Sequence, residues 1–279
     1  MSADRRQPPV LSVIAPARNE EANVAALVHE IRAAMDDRVL SYEVIIVDDG
    51  STDGTGERLA ALQAEHPDVL RTVRLASTPP GRGAGQSAAF HAGIRASGGE
   101  FIAMMDADLQ NDPADLPAIL QPLFAGEADF VQGDRSRARQ DTLKRRASSL
   151  VGRVVRRLLL GDTIRDTGCS LRAMRREIAL RLPLEFKGMH RFIPVTARQL
   201  GYRVIEMPVS HRPRIAGRTK YGVWNRALPG LTDCFAVRWM RHRRRPVDFV
   251  AVEPTSDHVA VVQVAKRTGP KRHREEVVS

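Results

Sequence analysis

The chain has 279 residues, 43% of them hydrophobic and 5% aromatic, with a net charge of +10. That length suits one large domain, or a domain with an appendage, built mostly on Ala, Val, Leu and Ile. Two cysteines argue against a disulfide scaffold, and the absence of a signal-like start or of about 18 continuous apolar residues leads us to expect a cytosolic chain with no transmembrane span.

In chain order, "VLSVIAPA" reads as a strand, with a helix starting near Asn19. "YEVIIVDDGS" is a second strand ending in acids, and Asp53 is placed to cap a helix running through Ala64. "VLRTVRLA" is a third strand, residues 84–97 a helix closed by Ser97-Gly98-Gly99, and "EFIAMMDA" a fourth strand. Asp112 and Pro113 open the next helix, and "ADFVQGDRS" is a fifth strand. Strands separated by helices predict parallel pairing in an α/β layered domain, with ligands beyond the carboxyl ends of the strands.

The second half differs. Residues 142–160 form a basic helix with an apolar stripe of Leu143, Leu150, Val151, Val154 and Leu158. From Arg135 to Arg157 there are nine Lys/Arg and a single acid, a charge of +8 that implies a polyanionic partner rather than a solvated face of mixed sign. "RDTGCSLRAMRRE" reads as a turn leading into a short helix, residues 186–201 as a helix stopped by Gly201, and "YRVIEMPVSHRPR" as a strand. From Tyr221 a helix carries Trp224, Leu228, Leu231, Phe235 and Trp239 ahead of an Arg cluster, and Pro229-Gly230 is expected to kink or split it. That stripe either seeks a membrane interface or packs on the domain. The tail reads as polar, apart from an alternating "HVAVVQVAK" that this pattern leaves unexplained.

The strongest chemical signal is a pair of acidic strand ends, "IIVDDGSTDGT" (45–55) and "DADLQ" (106–110). On an extended backbone Asp106, Asp108 and Gln110 point the same way. Close carboxylates repel unless a cation lies between them, and oxygen donors suit Mg²⁺ or Mn²⁺. "GRGAGQ" (81–86) is a weak match to a dinucleotide loop, because it does not follow a strand directly.

With "PARNEE" (16–21), "VDDGSTDGT" (47–55), "GRGAGQSAAFHAGIRASGGE" (81–100) and "MDADLQNDP" (105–113) in this order, the sequence resembles the family-2 glycosyltransferases over about residues 10–240. The resemblance implies a GT-A fold, which is a mostly parallel sheet flanked by helices, a nucleotide-sugar donor and inverting transfer with a divalent metal on the diphosphate. It places Pro16, Ala17, Arg18, Glu20 and Asp48 around the nucleoside. Asp106 would lie near the sugar and ribose, and Asp108 and Gln110 on Mg²⁺ or Mn²⁺. Within the family the second half resembles the polyprenyl-phosphate sugar transferases. Arg135 follows the fifth strand, Arg145 and Ser149 lie four apart on the next helix, and "HRPRIAGRTKYG" (211–222) carries Arg214 and Lys220. "DTGCSLRAMRRE" (166–177) departs from that branch's Asp-x-x-Ser-Gly-Phe-Arg turn, with Cys169, Ser170 and Leu171 in the Ser, Gly and aromatic places.

The resemblance thus implies transfer of one sugar, from GDP-mannose or a UDP-sugar, to a polyprenyl phosphate. Arg135, Arg145 and Ser149 would grip the lipid phosphate, and Arg214 and Lys220 would bridge donor and acceptor. A phosphate acceptor needs no general base, whereas a hydroxyl acceptor does, and Asp162, Asp166 and Glu185 are the candidates for that alternative. The expected organisation is a flexible arm (1–9), a GT-A domain (10–213), an acceptor loop with an amphipathic interface helix (214–245) and a basic, largely disordered tail (246–279). The expected setting is peripheral, on an anionic membrane surface at the inner face of the cell membrane, alone or with a membrane-spanning partner. A nucleic-acid partner is not expected, because the basic run lacks interleaved aromatics and a recognition motif. A scaffold without catalysis would not need an intact "DADLQ".

Overall fold

The computed structural model describes residues 9–38, 41–78, 82–136, 143–213, 224–245, 251–254 and 259–262, with the backbone alone for residue 37 and for 143–151, 224–228, 251–254 and 259–262. The first half alternates as expected. It runs β1 (Leu11–Ala17), α1 (Val24–Met35), β2 (Tyr42–Asp48), α2 (Thr55–Glu65), β3 (Leu70–Arg74), α3 (Gln86–Ala96), β4 (Phe101–Met104), α4 (Leu116–Phe124) and β5 (Phe130–Asp134). β1, β2 and β4 are largely apolar runs because helices cover both faces of the sheet, and β5, FVQGD, is buried along its whole length as well. The second half adds α5 (Leu143–Leu160), β6 (Arg172–Arg175), α6 (Arg176–Ala179), α7 (Ile193–Gln199), β7 (Val204–Pro208) and α8 (Trp224–Arg243).

The seven strands lie in the order β3-β2-β1-β4-β6-β5-β7. β1 pairs in parallel with β2 on one side and β4 on the other, so strand order reverses there and opens a crevice past the carboxyl ends. β6 is antiparallel to both β4 and β5. Its sequence, "RAMR", is made of good helix formers and gave no strand signal. Tertiary pairing overrides that preference, since β4 and β5 would otherwise each present a buried unpaired edge.

Side chains alternate between two cores. Leu11, Val13 and Ala15 pack under α1, α2 and α4, while Ile14, Ile45 and Val47 pack under α3, α7 and the buried edge of α8. Gly93 lets α3 lie directly on Ile14 and Val47, where a Cβ would collide, and this holds the N-terminal end of α3 over the crevice.

Three details differ from the sequence reading. α1 begins at Val24, because Asn19 takes a left-handed φ of 56° and the chain turns before the helix. Asp53 accepts from the Thr55 N–H at 3.1 Å, yet Gly54 is the N-cap residue, and the helix continues to Glu65. α8 is a single helix with Pro229 inside it, because only one intrahelical N–H is lost. Cys234 and Val237 take its buried side, and Leu231, Phe235 and Trp239 face outward at 39%, 54% and 62% exposure. On neighbouring α5, Val154 and Leu158 are also exposed. Arg238 and Arg241 of α8 donate to the carbonyls of Leu159 and Leu160, closing the C-terminal end of α5. Among the described residues no helix is long and apolar enough to cross a membrane.

In the tail, β8 (Ala251–Pro254) pairs antiparallel with β9 (Val259–Val262), which makes residues 259–262 of "HVAVVQVAK" a strand, the rest of that stretch lying outside the described residues. Residues 1–8 of the expected arm and the remainder of the tail lie outside the described residues.

Candidate active site

Each acidic strand end becomes a braced turn at the crevice. β2 delivers Asp48, almost fully buried, whose Oδ1 accepts from the Ser51 N–H at 2.8 Å while Arg74 stands 3.5 Å from Oδ2. The end of β1 carries Pro16 and Ala17 beside it, and the loop with Arg18 and Glu20 is laced to the 51–55 turn. Asn19 N–H donates to Ser51 Oγ at 3.1 Å, Thr52 N–H to Asn19 Oδ1 at 2.8 Å, and Glu20 N–H to Thr55 Oγ1 at 2.9 Å. The predicted nucleoside residues therefore form one contiguous wall.

Asp49, given no role in the sequence reading, organises the next wall. Its carboxylate accepts from the N–H groups of Ala84 and Gly85 at 2.6 and 2.8 Å, pinning the glycine-rich loop ahead of α3. Gly83 takes a φ of 68° against Asp49, where a Cβ would lie 2.7 Å from the Asp49 carbonyl oxygen. Gly83 of "GRGAGQ" thus serves close backbone approach. The local signal was the second Asp of "VDDGS", which sequence alone could not distinguish from the first.

β4 ends at Met104, so Asp106 and Asp108 do not project from an extended strand as expected. They sit in the turn that follows, where Leu109 takes a left-handed φ of 58°. They still act on each other. Burial first, and the neighbouring Asp108 charge second, push the Asp106 carboxyl above its usual range. Gln86 at the start of α3 donates to Asp106, and Asp108 Oδ1 accepts from the Gln110 N–H at 3.2 Å. Two carboxylates that repel each other inside a protein, offering hard oxygen donors, fit a divalent cation such as Mg²⁺ or Mn²⁺.

Arg135 follows β5 and is 8% exposed. Its Nε and Nη2 donate to Asp166 at 2.9 and 3.3 Å, and the Asp166 carboxylate also accepts from the Gly168 N–H at 3.1 Å. The Gln132 side chain suspends this turn by donating to the carbonyls of Asp166 and Cys169. Asp166 thus engages the Nε and Nη2 edge of the guanidinium and fixes its orientation. Below it, buried Arg172 donates to the carbonyls of Cys169, Ser170 and His190. Burial lowers its pKa to about 10, so it remains a cation, with Asp106 among the groups that support the charge. The sequence signal for Arg172 was an Arg inside a segment that had to be buried, visible only once β6 is known to be a central strand. The Cys169 thiol is pushed up to about 11 by burial and stays neutral.

Of the remaining predicted residues, Arg145 and Ser149 lie on α5, where only the backbone is described, and Arg214 and Lys220 lie outside the described residues.

Next to Gln86, Ser87 hydroxyl and His190 Nδ1 are 2.9 Å apart, and Ser87 Oγ accepts from the His190 N–H at 3.1 Å. Burial, with Arg191 and Arg172 adding to it, lowers the His190 pKa to about 3. Unfolded, this imidazole takes a proton near pH 6.5, and folded it refuses one until about pH 3. Between those limits the unfolded state binds more protons, so stability falls as pH drops, by up to about 1.4 kcal/mol per pH unit from this group. Urea unfolding at pH 7 and pH 5 checks this, and His190→Asn should remove that part of the slope.

A mostly parallel sheet with one antiparallel strand, and a braced loop wall and an acid pair past its carboxyl ends, define a GT-A type fold. Comparison with known families matches residues 12–182 to Glycosyl transferase family 2. The chain belongs to that family and is a glycosyltransferase. It is 36% identical over 247 residues to a dodecaprenyl-phosphate galacturonate synthase of Rhizobium johnstonii, covering 86% of this chain and 70% of that protein. It is 37% identical over 215 residues to an undecaprenyl-phosphate 4-deoxy-4-formamido-L-arabinose transferase of Aeromonas hydrophila subsp. hydrophila, covering 77% of this chain and 63% of that protein. The chain thus spans about two thirds of the length of these relatives. Among solved structures, a glucosyl-3-phosphoglycerate synthase of Mycobacterium tuberculosis, crystallised with Mn²⁺, UDP and glucosyl-3-phosphoglycerate, superposes with a TM-score of 0.62 at 22% identity, over 95% of this chain and 92% of that one. At that identity the likeness speaks for the fold alone.

Proposed function

We propose that this glycosyltransferase moves one sugar from a nucleoside-diphosphate sugar, either GDP-mannose or a UDP-sugar, to a polyprenyl phosphate. The observation that carries the reading is the buried Arg135–Asp166 pair beside the acid turn. A buried cation near the acid turn suits an anionic acceptor, and its partner Asp166 is a carboxylate that a hydroxyl acceptor would need as a base. A second base candidate, Asp162, is likewise engaged, by Arg156 at 3.0 Å and the Ile164 N–H at 2.9 Å. The third, Glu185, is an exposed carboxylate near His91. The two relatives, both polyprenyl-phosphate sugar transferases by name, support the same acceptor class.

In this reading Pro16, Ala17, Arg18, Glu20 and Asp48 hold the nucleoside, and Asp106 faces the ribose and sugar. Asp108 and Gln110 hold Mg²⁺ or Mn²⁺, which neutralises the diphosphate leaving group. Arg135, with Arg145 and Ser149 of α5, grips the acceptor phosphate, whose oxygen attacks the anomeric carbon from the face opposite the diphosphate. Arg214 and Lys220 bridge the two phosphates. The exposed apolar residues of α5 and α8, flanked by arginines, rest on an anionic membrane surface at its cytosolic face. Residues 10–213 form the catalytic domain and 214–245 the acceptor loop and interface helix.

The test is a transfer assay with radiolabelled UDP- and GDP-sugars, Mn²⁺ and polyprenyl phosphate carried in vesicles with or without phosphatidylglycerol. Label entering the lipid phase from one donor, faster with the anionic vesicles, is expected. Metal-dependent nucleotide binding with no lipid-phase label would move the acceptor to a hydroxyl.

A further inference from the structure

The Asp108–Asp112 turn carries strain that its own residues do not explain. Leu109 holds a φ of 58°, a conformation that L side chains other than Asn and Asp rarely adopt and that persists only where surroundings impose it. Within the turn, the Asp108 to Gln110 bond is long, at 3.2 Å. Two shorter contacts reach in from elsewhere in the chain. Asn111 donates to Ser170 at 2.7 Å, and the Arg212 N–H donates to the Gln110 carbonyl at 2.9 Å. The Arg212 side chain then grips the far end of the same turn. Its Nε lies 3.1 Å from Asp112 Oδ2 and its Nη2 2.7 Å from Asp112 Oδ1, while Nη1 reaches Glu30 of α1 at 2.6 Å. One residue therefore fixes the turn at Gln110 and Asp112 and ties both to a helix 182 residues away in sequence.

We propose that Arg212 is a positioning residue for the metal-binding turn, holding Asp108 and Gln110 in ligand geometry by clamping Gln110 and Asp112 against Glu30 of α1. The proposal rests on the assignment of Asp108 and Gln110 to the metal. Three features favour this over an incidental surface ion pair. The bond to Asp112 is two-pronged and that to Glu30 leaves in a different direction, a geometry that a guanidinium offers and an ammonium does not. The Asp112 carboxylate is shared with the Ala114 N–H at 2.9 Å, so the clamp also sets the start of the turn into α4. And the side chain is about one third exposed, so the ion pairs add little to global stability and their effect falls on local geometry.

Outer contacts that orient metal ligands typically change metal affinity about 10- to 100-fold. The experiment is a titration of Mn²⁺ by electron paramagnetic resonance in the presence of UDP and, separately, GDP, alongside thermal unfolding. Arg212→Ala should weaken Mn²⁺ binding about 10-fold or more with a small change in Tm, and Arg212→Lys should recover only part of it. Glu30→Gln, which removes the charge that Arg212 Nη1 meets on α1, should weaken Mn²⁺ binding in the wild-type background and have no further effect on Arg212→Ala. That variant keeps the test valid if Arg212→Ala does not fold. Unchanged Mn²⁺ affinity in both variants overturns the proposal. A wild-type protein that binds no Mn²⁺ with either nucleotide overturns the metal assignment itself and the clamp with it.

Discussion

Asp108→Asn should fold normally and lose about a thousandfold in sugar transfer, even with Mn²⁺ in large excess. The size follows from the task. Metal stabilisation of a departing diphosphate is worth several kcal/mol, and each factor of ten in rate is about 1.4 kcal/mol. Stability should stay level or rise, because the substitution removes the like charge that, after burial, does most to raise the Asp106 carboxyl. Thermal unfolding and initial rates on the same preparation check both parts. Full activity in Asp108→Asn would refute the metal assignment, and loss of folding together with activity would make Asp108 structural.

The second large effect belongs to the pair behind the acceptor site. Arg135→Gln should raise the KM for the polyprenyl phosphate about 10- to 100-fold, the worth of one hydrogen bond to a charged group, while the KM for the donor stays put. It should also lose about 3 to 5 kcal/mol of stability, because the buried Asp166 carboxylate loses the cation beside it. Asp166→Asn separates the two acceptor readings. If Asp166 serves to aim Arg135, the variant raises acceptor KM as Arg135→Gln does, and the pH profile keeps its shape. If Asp166 were a general base, kcat would collapse and the alkaline-side plateau would vanish with it. Steady-state kinetics of both variants across pH decide between these outcomes.

The structure sharpens the meaning of the basic segment. A charge of +8 between Arg135 and Arg157 predicted a polyanionic partner without saying which residues would meet it. Arg135 is aimed inward by a buried carboxylate, whereas Arg156 is spent on Asp162 and Arg153 and Arg157 face solvent beside exposed Val154 and Leu158. Among the described side chains the run therefore divides between an arginine buried against Asp166, one paired with Asp162 and an exposed pair. The described members of the α8 stripe, Leu231, Phe235 and Trp239, all face outward, and the helix packs on the domain through Cys234 and Val237, which lie outside that stripe.

The sequence alone determined the alternating α/β half and the acids that follow its strand ends. Apolar runs covered on both faces must be central parallel strands, and acids closing such runs must sit at their ends, so Asp48, Asp106 and Asp108 could be placed from local pattern. Three things were decided only by tertiary structure. β6 became a strand because its neighbours needed pairing, against the preference of "RAMR". Asp49 and Asp166 acquired their roles from partners 35 and 31 residues away, which no local spacing encodes. And the turn presenting Asp108 is held left-handed at Leu109, with Arg212, about a hundred residues downstream of its partner Asp112, bonded to it. Periodicity reports which face of an element is buried. The side chains that meet behind that face are set by how the elements pack, and in this protein those meetings orient the site.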